Sequence, residues 1–202
     1  MKLILENWRG YLKENREDYV ETVEAAELEM IEELLGASES FRTAWKEMEQ
    51  SVEGTSHHFG ETTAEHTRNV LKELDEIIDS MDEEIDAVRK RKLRLAAALH
   101  DIAKPPTRTV DDSGRVRFFG HPSEGVSVAE KVLREIGQTD KEIIIKIVKM
   151  HMDILIKADE LRRGLIKKEE RAVNKFLNKI GNGLEDLYLV AQANVNAIVR
   201  PE

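Results

Sequence analysis

Cysteine is absent from this chain, and proline and aromatic residues are scarce: of 202 residues only 4 are proline and 5% are aromatic. Without a thiol there can be no disulfide, no thiolate zinc site and no cysteine nucleophile, so any metal must be held by histidine nitrogens and carboxylate oxygens. Few prolines and aromatics, with charged residues at 35%, suit a helical bundle better than a sandwich or barrel. No apolar run approaches the roughly 18 residues of a transmembrane helix, and MKLILENWRG is too short in apolar run for a signal peptide. The expected location is cytoplasmic, with no membrane partner. A net charge of −9 argues against extended binding along nucleic-acid backbones, which calls for a basic face. It leaves room for a small phosphorylated nucleotide or an RNA end. The basic runs at 89–94 and 162–171 read first as solvated helix faces.

What is present is helical periodicity. Leu5, Trp8 and Leu12 share a face within residues 3–13. An acidic helix near 18–35 aligns Val20, Val23, Met30, Ile31 and Leu34, and Ser40 precedes a short helix with Phe41, Trp45 and Met48 in register. These elements form a small N-terminal helical extension, residues 1–55, and the main domain is expected over 56–202. Thr62 and Glu65 form a capping box that starts a helix running to about Ser80. A second helix over 84–103 groups Leu93, Ala96, Ala97, His100 and Lys104 and is closed by Pro105 and Pro106. The DSG between TRTV and RVRF predicts a brief hairpin. Pro122 suits the first turn of the next helix, which puts His121 at its cap. Thr139 with Glu142 predicts a further capping box, opening a helix that aligns Ile144, Ile147, Val148 and His151. A polar stretch from 160 to 183 breaks at Gly164 and at GNG, and a last helix aligns Leu187, Val190, Ala191, Asn194 and Ile198.

The chemistry concentrates in histidine. His66, His100 beside Asp101, His121 and His151 each lie on or at the mouth of a different predicted helix. Any one of them alone would read as an ordinary core histidine. Four buried imidazoles would each need a partner or cost roughly 1–3 kcal/mol, and one shared cation satisfies them together. Nitrogen and oxygen donors without sulfur suit Mn²⁺, Fe²⁺, Ni²⁺, Co²⁺ or Mg²⁺, one or two per chain. Asp101 is the natural bridge to a nucleophilic water and could take its proton. Arg108, Arg115 and Arg117 in the loop are candidates for phosphate binding, and His57 and His58 are rim residues.

The ordered set H…HD…H…H, with HDIAKP and then FFGHPSEG, resembles the HD-domain metal-dependent phosphohydrolases, and most nearly the HD domain of bacterial CCA-adding tRNA nucleotidyltransferases. The resemblance is strong over about 57–160 and weak over 161–199. It implies an all-α HD-domain bundle in which residues matching His66, His100 and Asp101 hold a first metal together with a distant carboxylate. It further implies that His121 and His151 hold a second metal or contact the scissile phosphate, and that Lys104 contacts phosphate in catalysis. The family's last aspartate, in a motif A-x-A-D, falls on Asn194 of VAQANVNA, a neutral ligand at best, with Asp153 or Asp186 as substitutes. The activity implied is hydrolysis of phosphate esters on nucleotides or RNA ends, of 2′,3′-cyclic phosphodiesterase or phosphatase type. The alternative is a weakly active or inactive nucleotide-binding regulatory module. CCA addition itself is left out, because no Gly-Ser strand followed by paired aspartates is present.

Overall fold

A computed structural model describes residues 29–54, 60–166 and 168–198, and over these the fold is all-α with one short hairpin. The segment at 3–13, most of the acidic helix, and His57 and His58 lie outside the described residues. Residues 29–37 are helical and lead into α1 (Glu39–Gln50), whose cap is Ser38 rather than a later serine, its Oγ accepting from the Phe41 N–H. Phe41, Trp45 and Met48 all point inward from α1. The Thr62–Glu65 capping box forms in full and starts α2 (Thr63–Asp79). Next comes α3 (Ala87–Leu99), shorter than the expected 84–103. The Asp86 carboxylate accepts the Arg89 N–H and so fixes the start, while the chain leaves the helix at His100 and tightens into a 3₁₀ turn at Pro105–Thr107.

The predicted hairpin is there, β1 (Arg108–Val110) pairing antiparallel with β2 (Val116–Phe118). Gly120 follows with φ 82°, a left-handed turn that glycine enters without steric cost, and α4 (His121–Glu135) begins at once with Pro122 in its first turn. Helix α5 (Glu142–Arg162) corrects one expectation: Lys141 occupies its cap position and no side chain caps it, so the Thr139–Glu142 box does not form. The residues before it are engaged elsewhere, Asp140 with Lys92 at 2.8 Å and with the Gln138 side chain at 2.9 Å. The polar stretch holds a helix of its own, α6 (Glu169–Ile180), and after a 3₁₀ turn at Gly181–Gly183 the last described helix is α7 (Leu184–Asn196).

Helix α3 is the axis of the bundle and packs against α2, α5 and α7. Ala96, Ala97 and Ala98 are fully buried along it, and side chains this small let three neighbours close in around the end that carries His100. Met30, Leu34, Phe41, Trp45 and Met48 belong to the same hydrophobic core as Leu74, Leu99, Ile147 and Val190.

Candidate metal centre

Five elements deliver one polar cluster into this core. His66 comes from α2, His100 and Asp101 from the end of α3, His121 from the first turn of α4, His151 from the middle of α5 and Asn194 from α7, and all are buried. Three of the imidazoles are fixed alike. Nδ1 of His100 donates to the Ala97 carbonyl at 2.7 Å, that of His121 to Phe118 at 2.8 Å, and that of His151 to Val148 at 2.9 Å. This pattern assigns the ring proton to Nδ1 and leaves each Nε2 with a lone pair aimed inward.

Those lone pairs meet other acceptors. The Nε2 atoms of His121 and His151 lie 3.1 Å apart. Asp101 Oδ1 is 3.1 Å from the first and 3.4 Å from the second, while Asp101 Oδ2 is 2.8 Å from His100 Nε2 and 3.9 Å from His66 Nε2. His100 Nε2 and Asp101 Oδ1 are buried and make no well-formed hydrogen bond. Acceptors facing acceptors in a dry interior are repulsive unless positive charge sits among them. The donor set thus fits a divalent cation, with two groups of ligand atoms, His66–His100–Asp101 and Asp101–His121–His151, sharing Asp101.

Asn194 is in the cluster, its Oδ1 2.8 Å from His66 Nε2. The two carboxylates considered as substitutes are committed elsewhere: Asp186 pairs with Arg89 at 2.7 Å and Asp153 with Lys179 at 2.7 Å. Lys104 is also in the site, but not as a free cation. Its ammonium lies 2.8 Å from Asp101 Oδ2 and 2.7 Å from Glu53, whose two oxygens it grips together. Burial alone would depress the Lys104 pKa, yet the charges of Asp101 and Glu53 more than offset this and hold it above the ordinary lysine value. Burial likewise works against ionised Asp101, and the charge of His100 when that ring is protonated, with the charge of Lys104, outweighs it and keeps the carboxyl well below the usual range.

Glu53 was not legible as a site residue. It sits in an irregular stretch whose backbone is tied to the start of α2, Glu53 N–H donating to the Glu61 carbonyl at 2.9 Å beside a Val52–Thr62 bridge. Glu61 in turn places a carboxylate 3.4 Å from His66 Nδ1. Of the loop arginines only Arg117 reaches the site's rim. Arg108 and Arg115 do not line it, Arg115 being 64% exposed and facing Asp111. A cavity of about 780 Å³ opens over the cluster, lined by Asp101, Lys104, His121 and Asn194 and also by Phe119, Met152 and Ile156.

The buried histidines predict how the metal-free protein responds to acid. Burial, with the neighbouring His100 and His121, pushes the His151 pKa down to about 4 against the pull of Asp101. The unfolded chain takes up this proton from pH ~6.5 downward while the folded chain refuses it until about 4. Stability should therefore fall by roughly 3 kcal/mol across that window. His66, whose pKa is raised, changes the balance only above pH ~6.5. Urea melts at pH 7 and pH 4 in chelator check this, and equal midpoints would contradict it.

The buried histidine–aspartate cluster set among helices offers a nitrogen and oxygen donor set suited to a divalent metal. The HD domain matches residues 63–180, more than half of the chain, and the chain belongs to that family. It is similar to the CC-adding tRNA nucleotidyltransferase of Thermus thermophilus, 35% identical over 103 residues that make up 48% of this chain and 21% of that protein. The chain thus spans about one fifth of that relative's length. No solved structure matches it. Among the described residues no helix is long and apolar enough to cross a membrane.

Proposed function

We propose that this protein is a metal-dependent phosphohydrolase acting on phosphate esters of nucleotides or RNA ends, with phosphodiesters such as 2′,3′-cyclic phosphates among its substrates. The observation that carries the reading is the pair of ligand groups sharing Asp101 at the floor of an open cavity. His66, His100, Asp101 and Asn194 would hold one ion and Asp101, His121 and His151 a second. Bound there, a divalent ion such as Mn²⁺, Ni²⁺, Co²⁺, Fe²⁺ or Mg²⁺ supplies Lewis-acid charge that makes water acidic near neutral pH and polarises a phosphoryl oxygen. The chain's own groups do the rest. Asp101 would accept a proton from the attacking water, Lys104 holds its Oδ2 at 2.8 Å and so fixes the carboxylate, and Arg117 stands at the rim. Similarity to a tRNA-directed enzyme supports a nucleotide or RNA end as the carrier of the phosphate, and the net charge of −9 supports a small one.

A second reading, a nucleotide-binding regulatory module with little turnover, is favoured by the neutral Asn194 at the place of a charged ligand. Steady-state assays with bis(p-nitrophenyl) phosphate and with 2′,3′-cyclic nucleotides separate the two. Turnover that requires Mn²⁺, Ni²⁺ or Co²⁺ and stops with chelator supports the enzyme. Absence of turnover on every ester by protein shown to hold metal moves the function to the regulatory reading.

A further inference from the structure

The cavity over the cluster is lined by four cations, Lys104, Arg117, Lys149 and Lys179, which at first sight suits a highly charged phosphate. Three of them are already neutralised. Lys104 is gripped by both oxygens of Glu53, Arg117 lies 3.3 Å from Asp111, and Lys179 lies 2.7 Å from Asp153. The lining also carries apolar side chains, Phe118, Phe119, Met152, Leu155, Ile156 and Ile198, beside the carboxylates of Glu53, Asp101 and Asp153. Phe119 is 71% exposed and carries the Arg117 guanidinium 5.5 Å above its ring, a face on which a planar group can stack.

Lys104 is the cation nearest the chemistry, and one of the two carboxylates paired with it, Glu53, lies outside the matched HD segment. Glu53 is wholly buried and held in place through its own backbone by Glu61. A phosphomonoester is doubly charged near neutral pH and a diester only singly, because the monoester's second pKa is ~6. A site whose innermost ammonium is already paired on both sides favours the ligand that brings less charge and more apolar surface.

We propose that Glu53 is a specificity-determining residue: by pairing with Lys104 it withholds the cation that a phosphomonoester dianion needs and so turns the site toward phosphodiesters. The proposal rests on the phosphate-ester reading above. It concerns relative binding, so it can be measured without turnover.

The test is calorimetric titration of the full chain, saturated with Co²⁺ at mildly alkaline pH, with methyl phosphate and with dimethyl phosphate. Wild type should bind the diester at least as tightly as the monoester, despite its smaller charge. Glu53→Gln keeps the shape and removes the charge; it should tighten methyl phosphate by about tenfold and dimethyl phosphate by less than about threefold. Glu53→Asp keeps the carboxylate and should keep the wild-type preference. A gain confined to the monoester supports the proposal. Monoester binding tighter than diester in wild type overturns it, as does a Glu53→Gln variant with no change, or with both ligands weakened as simple damage to the fold would give. If Glu53→Gln does not fold, the wild-type comparison and Glu53→Asp decide. Loss of the hydrolytic reading would show separately, as ester binding without turnover, while failure of wild type to bind either ester overturns the proposal itself.

Discussion

Asp101→Asn should weaken the first bound Co²⁺ or Mn²⁺ by at least about a hundredfold, on the order of 3 kcal/mol, and abolish any metal-dependent hydrolysis. Among the described residues no other side chain belongs to both groups of ligand atoms, so one substitution weakens both. The effect is electrostatic rather than steric. Asparagine fills the same space but presents a neutral oxygen where four imidazoles and an ammonium converge within 3.9 Å. In the metal-free state the consequence is smaller, because Lys104 keeps Glu53 as a partner and the crowded acceptors lose one negative charge. A variant that melts close to wild type in chelator but gains no stability from added metal is the expected signature. An Asp101→Asn protein that binds Co²⁺ as tightly as wild type would place the ion elsewhere.

The second large effect runs in the opposite direction. Asn194→Asp should tighten metal binding by about one to two orders of magnitude, since a charged oxygen replaces a neutral one at roughly 1.4 kcal/mol per factor of ten. The structure sharpens the case, because Asn194 Oδ1 already lies 2.8 Å from His66 Nε2 and the alternative carboxylates Asp153 and Asp186 are tied to Lys179 and Arg89. Without metal the same substitution puts a second carboxylate beside Asp101 in a buried site, and stability should drop by a few kcal/mol. Melting temperature with and without Co²⁺ should therefore diverge in this variant more than in wild type. Destabilisation with no gain in affinity would show that Asn194 merely packs against His66.

The histidine cluster was legible because imidazole is scarce here, at six residues in the chain, and because four of the six fall on apolar helix faces or a helix mouth. The Thr62–Glu65 box and the Pro122 start were legible for a similar reason: each depends on neighbours within one turn. Glu53 was hidden because its partner Lys104 lies 51 positions away, and a single glutamate in SVEG has no periodicity to mark it. The Thr139–Glu142 box carried the right local pattern and does not form: Lys141 takes the cap position, beside an Asp140 that pairs with Lys92 from 48 positions away. Arg108, Arg115 and Arg117 looked equivalent in sequence, yet of the three only Arg117 lines the cavity.

The central claim is that the buried cluster is a metal centre, and elemental analysis of the full chain tests it most directly. After loading in turn with Mn²⁺, Ni²⁺, Co²⁺ and Mg²⁺ and removal of excess ion, wild type should retain about one or two ions per chain of at least one of these metals, as its nitrogen and oxygen donors suit, and Asp101→Ala should retain none. A folded wild-type protein that holds none of the four metals would contradict the account.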